Sequence, residues 1–400
     1  MNPEKRFHHS FTNIGLSKIV EVSERARLLA PEYEQKTGQP FIYFQRGESN
    51  LIVPEYIKES IMLALSSNRT KYPKSGGEPE FKDSIIDYCA ESGVNLERDN
   101  IVATYGGQEG LQLAFSLFRG SRAAGFAPCW SAMLDNIFPY CEINFSPINF
   151  YEKNEKFAFN KGKLEEEIKK ADLFYLNNPH NPTGKVFSRD ELETINDLCI
   201  KHDVLVISDE PYKDIIFDGK KHISFAELEN PNAVSVYTFS KSFASTGLRI
   251  GYTISKNKDI IKAMTLGNYT QTAAVVTPFQ IAFSKVLREK EKTKSWLEEL
   301  AQEYGQRRNV LYEELKFLSA PKPEGAFYFF PNLKDFAGNI KNPDKFFLEL
   351  FLSNGIAIVP GTAFGKDYNS SIRISFSETN KELIKIGAGR MKKLLEERRE

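Results

Sequence analysis

The sequence predicts an α/β fold, a mostly parallel sheet covered by helices, followed by a smaller α+β unit. Three observations carry that prediction. From about residue 100 to 255, short apolar runs alternate with helical patterns, as in a parallel sheet buried on both faces. Beyond residue 290 the texture changes to charged amphipathic helices separated by isolated strands. The residues with chemical potential fall just after the apolar runs, at the carboxyl ends of strands where such sheets place their ligands.

Taken in order, Leu16 to Tyr33 has the spaced apolar positions of an amphipathic helix, and Phe41–Phe44 reads as a short strand. Six runs read as buried strands: Ile101–Tyr105, Ala123–Ala127, Leu173–Leu176, Val204–Ser208, Val234–Phe239 and Ile250–Ile254. Between them, Ser188 to His202 is a helix that opens on a capping box, Ser188-x-x-Glu191. Trp296 to Leu318 follows as one long charged helix. Then come a Gly325–Phe329 strand, a helix near Asp344–Asn354, strands near Ile356–Val359 and Ser371–Phe376, and a last helix from Thr379-x-x-Glu382. No internal repeat or low-complexity linker interrupts this order.

Composition narrows the partners. Lysine plus arginine equals aspartate plus glutamate, 53 against 53, so total charge gives no reason to expect nucleic acid or an anionic membrane. Cys89, Cys129, Cys141 and Cys199 have neither metal-ligand spacing nor a disulfide framework and read as buried free thiols. The start, MNPEKRFHHS, lacks an apolar stretch, so no signal peptide is expected. No run of eighteen apolar residues is present. A cytoplasmic protein is the expectation.

The segment Thr238-Phe239-Ser240-Lys241-Ser242-Phe243-Ala244-Ser245-Thr246-Gly247-Leu248-Arg249-Ile250-Gly251-Tyr252 is the most informative. A lone Ser-Lys pair would be an ordinary surface loop. Lys241 just past a buried strand, among hydroxyls and eight residues before Arg249, suits a Schiff-base lysine, whose amine must at times be neutral. Thr238, Ser240 and Arg249 could then hold a dianionic phosphate.

Four further patterns stand beside it. Asp209-Glu210-Pro211-Tyr212 closes a strand, where a carboxylate could merely cap a turn. Asn178-Pro179-His180-Asn181-Pro182-Thr183-Gly184 is a Pro/Gly turn. Tyr105-Gly106-Gly107-Gln108 runs from strand to helix through glycines that let backbone amides approach a phosphate. Ser371-Ile372-Arg373-Ile374-Ser375 carries a planar guanidinium suited to a carboxylate.

Together these strings resemble the class I/II aminotransferases, the pyridoxal 5′-phosphate (PLP) enzymes of fold type I, and the likeness runs from about residue 14 to the last helix. The resemblance implies a mostly parallel seven-stranded sheet in a large PLP-binding domain (49–290). A smaller α+β domain (291–400) would be completed by the N-terminal segment (1–48). It assigns Lys241 to the cofactor aldehyde, Asp209 to the pyridine nitrogen, and Tyr212 and Asn181 to the ring oxygen. Gly107, Gln108, Thr238, Ser240 and Arg249 fall to the phosphate. Trp130, in Pro128-Cys129-Trp130, would stack on the ring, and Arg373, Asn181 and Gly47 would receive the substrate carboxylate. Tyr72, in Lys71-Tyr72-Pro73, matches a tyrosine that reaches the neighbouring subunit's phosphate, which implies a homodimer with shared sites. His180 occupies a variable position and is given no catalytic role.

The implied reaction moves an amino group between an L-amino acid and a 2-oxo acid by ping-pong kinetics. A PLP lyase, either a carbon–sulfur β-lyase or an aminocyclopropane-type synthase, would use the same residues. A PLP-sensing regulator would need an N-terminal DNA-binding domain, and no helix-turn-helix or basic stripe precedes the pattern. Two departures stand out: Gly47-Glu48 is followed by Ser49-Asn50-Leu51 instead of Pro-Asp-Phe, and Met133 replaces an aromatic residue. Both are expected near the substrate.

Overall fold

The computed structural model describes residues 8–318 and 320–398; the charged start Met1–Phe7 lies outside them. Seven strands form the main sheet: β1 (Ile101–Thr104), β2 (Arg122–Ala127), β3 (Asn144–Asn149), β4 (Leu173–Asn177), β5 (Leu205–Asp209), β6 (Ala233–Thr238) and β7 (Gly251–Ile254). Their spatial order is β1-β7-β6-β5-β4-β2-β3. β7 is antiparallel to both neighbours and every other pair is parallel. The six apolar runs are the other six strands, including β1, which is buried along its length although it forms the opposite edge. β3 had no such run because it is an exposed edge: only Ile148 is buried along it, and Pro147 interrupts it.

The near-continuous apolar strands serve two cores at once. Successive residues point to opposite faces, so Phe174 and Val206 join one buried cluster while Tyr175 and Ile207 join another. The first face is covered by helices Lys161–Ile168 and Arg189–Lys201, the second by Gly106–Ser116 and Lys258–Thr272. Ser188 does cap its helix, accepting from the Glu191 amide while the Glu191 carboxylate accepts from the Ser188 amide.

A second body of elements packs around a three-stranded sheet of Tyr328–Phe329, Ile372–Ser375 and Val359–Pro360. Ile42–Tyr43 pairs parallel with Ile356–Ala357, and Ile42 and Phe44 share a buried cluster with Tyr304, Phe327, Ile374, Ile384 and Met391. The helix Lys18–Thr37 lies on the same body, burying Val22, Ala26 and Ala30 against Phe41, Leu352 and Ala357. Several expected boundaries shift, among them the first helix, which runs to Thr37, and the Gly325–Phe329 segment, which is a strand only at Tyr328–Phe329. The long helix starts at Lys290, six residues before Trp296. The last helix, Lys381–Glu396, is capped by Asn380, whose side chain accepts from the Leu383 amide. Thr379 instead donates to the Tyr43 carbonyl at 2.8 Å.

The four cysteines are buried and free. Among the described residues no helix is long and apolar enough to cross a membrane.

Candidate active site

Parallel strands bring their carboxyl ends to one edge, and that edge carries most of the residues singled out in the sequence. Asp209 ends β5 beside Asn177 at the end of β4. Thr238 ends β6, and Gly106 follows β1. β7 runs the other way, so its beginning faces this edge: Gly251 lies opposite both Thr238 and Thr104. Arg249, two residues earlier, therefore arrives beside Gly106. Its guanidinium donates to the Thr246 carbonyl at 2.9 Å and the Tyr105 carbonyl at 3.2 Å.

A cavity of about 210 Å³ opens there, lined by Gly47, Gly107, Gln108, Trp130, Asn181, Asp209, Tyr212, Thr238, Ser240, Lys241, Arg249 and Arg373. Twelve of the thirteen expected site residues thus meet in one place. The thirteenth, Tyr72, lies outside it with 90% of its surface exposed.

One end of the cavity is built for an anion. Gly106 has φ +69°, and a Cβ there would come within 2.9 Å of the Arg249 guanidinium, so only glycine lets the chain turn this close. Gly106 and Gly107 begin an eleven-residue helix whose first amides face the opening. Thr238 donates to the Ser240 hydroxyl at 2.8 Å, adding hydroxyls to the same end.

Asp209 is buried and accepts on Oδ2 from Tyr175 Oη at 2.9 Å and from Asn177 Nδ2 at 3.2 Å. Burial, outweighing those hydrogen bonds, pushes its carboxyl up to about 7. A carboxylate enclosed this way favours a cationic partner, as a protonated pyridine nitrogen would be.

Lys241 donates to the Gly47 carbonyl at 2.7 Å. Burial lowers its amine to about 8, with Arg249 and Arg373 also lowering it and Glu48 and Asp209 raising it. A substantial neutral fraction near physiological pH suits a nucleophile and base.

Tyr212 Oη lies 2.9 Å from Tyr328 Oη. Arg373 is buried, 4.4 Å from the Tyr328 ring and 5.1 Å from the Phe364 ring. It donates to the Gln45 carbonyl at 2.6 Å and to Asn181 Oδ1 at 3.3 Å, while its Nε has no partner among the described residues. A buried guanidinium with a donor to spare and no carboxylate fits an incoming substrate carboxylate. Gly47 crosses above: a side chain there would collide with the Tyr328 hydroxyl.

Sequence reasoning missed Tyr175, Asn177 and Tyr328, which hold Asp209 and Tyr212. It also missed Ile19, Leu111, Pro211 and Thr246 in the wall. The two departures from the family pattern do not line the cavity. Ser49 accepts from Tyr304 at 2.7 Å, Asn50 from Arg307 at 2.8 Å, and Met133 is packed in the core. His180 is buried against Phe150 and pairs with Thr183 at 2.8 Å, away from the opening.

The aminotransferase class I and II family model matches residues 43–391. An aspartate aminotransferase of Pyrococcus horikoshii is 31% identical over 96% of this chain and 95% of its own length. The aromatic-amino-acid aminotransferase 2 of Thermococcus litoralis is 31% identical over 88% and 91%. Among solved structures, the Thermus thermophilus aspartate aminotransferase with maleate superposes with TM-score 0.88 at 26% identity, covering 97% and 99% of the two chains. The edge-of-sheet cavity, its lysine and its carboxylate therefore have a family: this chain belongs to the class I and II aminotransferases and is a PLP-dependent aminotransferase.

Proposed function

We propose that the cavity moves an amino group between an L-amino acid and a 2-oxo acid in two half-reactions, with Lys241 as the proton carrier. The observation that carries this reading is the Lys241 amine, lowered to about 8, in one cavity with Asp209 and Arg373. When bound, PLP supplies an aldehyde that condenses with amines and a ring that accepts electrons from the substrate α-carbon. The neutral Lys241 Nζ takes the α-proton and returns a proton to the adjacent carbon of the developing product. Asp209, steadied by Tyr175 and Asn177, holds a proton on the ring nitrogen. With PLP bound, the Tyr212 hydroxyl and Asn181 would serve the ring oxygen, and Trp130 would pack against the ring. Arg373 grips the α-carboxylate with Asn181 and the Gly47 backbone, which fixes the α-hydrogen relative to Lys241. Gly107, Gln108, Thr238, Ser240 and Arg249 retain the phosphate.

The protein acts as a homodimer in this proposal. Tyr72 is the exposed residue that would reach the other subunit's phosphate. Lys71 is tied to Thr277 at 2.8 Å, and Gly76 lies against Thr265, so the segment that carries Tyr72 runs past the helix Lys258–Thr272. That helix exposes Leu266 and Tyr269, and the helix Glu55–Ser66 exposes Met62, Leu63 and Leu65, apolar surface of the kind a partner covers. We also assign residues 1–48 and 291–400 to a small domain and 49–290 to a large one, on the cluster shared by Ile42, Phe44 and the C-terminal elements. Cytoplasmic residence is supported by four cysteines that stay free thiols.

The test is the visible absorption of the PLP-loaded protein titrated with amino donors. Aspartate and the aromatic amino acids come first, because the relatives are named for them. The expected result is loss of the cofactor band with a donor and its return with a 2-oxo acid, both absent in Lys241→Ala. A band that no amino acid bleaches would overturn the proposal.

A further inference from the structure

A second cavity, of about 490 Å³, lies between the helix Pro79–Ala90 and the start of the helix Lys290–Leu315, and its floor contains Tyr88, Lys213 and Asp214. These side chains form a chain of contacts that the proposed chemistry does not use. Lys213 Nζ donates to Tyr88 Oη at 2.7 Å and to Asp214 Oδ1 at 3.0 Å, and lies 4.5 Å from the Tyr88 ring centroid. The other Asp214 oxygen, Oδ2, accepts from the Ser242 hydroxyl at 2.6 Å. The Ser242 carbonyl accepts from Trp296 Nε1 at 2.7 Å.

The middle members of this chain are next in sequence to reacting groups. Lys213 and Asp214 follow Tyr212 directly, and Ser242 follows Lys241. Tyr212 and Lys241 come from segments after two different strands, β5 and β6, and the Ser242–Asp214 bond joins those segments beneath the active cavity. The lysine side chain must swing during the reaction while its backbone stays still. Ser242 is the adjoining backbone, held through its hydroxyl by Asp214 and through its carbonyl by Trp296. The half-buried Lys213–Asp214 pair, with side chains 18% and 14% exposed, holds the carboxylate fixed in direction.

We propose that Asp214 is a positioning residue, acting through Ser242 to hold the Lys241 segment in register with Tyr212, with Lys213 and Tyr88 anchoring it from the second cavity. The proposal rests on the aminotransferase reading of the first cavity.

The experiment compares Ser242→Ala, Asp214→Ala and the double variant with the wild type. It measures steady-state kcat and donor KM, and also the pH midpoint of the cofactor's visible band in the absence of substrate. Misplacement of a reacting group by a fraction of an ångström predicts a kcat loss of roughly 10- to 100-fold, with donor KM within about twofold. The pH midpoint moves as well, because the surroundings of the Lys241 nitrogen change. The double variant loses no more than Asp214→Ala, since both residues act through one bond. A Ser242→Ala protein with wild-type kcat and midpoint overturns the proposal, even if its melting temperature falls. So do losses that multiply in the double variant. If Asp214→Ala does not fold, Ser242→Ala decides alone. If the wild type transaminates no donor, the functional reading fails, and the pH midpoint still tests the clamp.

Discussion

Asp209 and Arg373 are buried ionisable groups of the site, and each makes a prediction of its own. In the cofactor-free protein the Asp209 carboxyl is raised from 3.8 to about 7. The folded state therefore binds its proton more tightly than the unfolded chain does. Its contribution to stability is fully present below about pH 4 and is lost as pH rises through 7. Asp209→Asn, neutral at every pH, is expected to raise the melting temperature of the cofactor-free protein at pH 8. That advantage shrinks as pH falls toward 4, while transamination is abolished; a pH series of melting curves checks it. Arg373→Lys keeps the charge but gives up the planar fork. Donor KM is expected to rise roughly 100-fold, as for a lost buried charged hydrogen bond, with the cofactor band intact; steady-state kinetics and absorption together read both. Twelve of the residues that line the cavity were legible, most of them because they fall in short strings such as Ser240-Lys241 and Asp209-x-x-Tyr212. Tyr175 was not. It acts on Asp209 from the neighbouring strand, thirty-four residues away, and inside an apolar run it reads as core.

At the scale of elements, the ends carry most of the information. Ser188 and Glu191 cap their helix reciprocally, as their spacing indicates, and Ser188→Ala is expected to lower stability by about 1 kcal/mol, measured by denaturant midpoint. The last helix shows why such patterns are not unique. Thr379-x-x-Glu382 and Asn380 both offer a cap, and the structure uses Asn380 because Thr379 is drawn to the Tyr43 carbonyl across the small sheet. Nothing local decides between them. The edge strand β3 was silent for a related reason: a strand with one buried residue has no alternation to detect. Gly106 is the element-scale feature of most consequence for the cofactor. Gly106→Ala meets both a left-handed φ and the Arg249 guanidinium, so weakened PLP retention is expected, read as faster cofactor loss on gel filtration.

For the molecule as a whole, the sheet topology decides where chemistry can occur. Reversing β7 brings Arg249 back to the edge already reached by β1, β5 and β6, so anchors from residue 107 to 249 converge without a long loop. That convergence was legible from the order of strands and motifs. The proposed partner surface rests in the sequence only on a resemblance, since exposed Leu266, Tyr269 and Tyr72 acquire meaning together and not in sequence. Replacing Leu266 and Tyr269 by lysine is expected to give monomers that retain PLP poorly, and the wild type is expected to sediment as a dimer; analytical ultracentrifugation with absorbance detection checks both.

The helix Lys18–Thr37 places its second residue, Ile19, in the active cavity, while the rest of it packs on the strands at 356–360. None of the groups proposed to hold PLP belongs to this helix. Natural selection, or a directed-evolution experiment, can therefore alter its first turn and retune which donors enter while leaving the cofactor chemistry intact. The first turn of this helix is thus one part of the cavity wall that can change without touching the cofactor's proposed anchors.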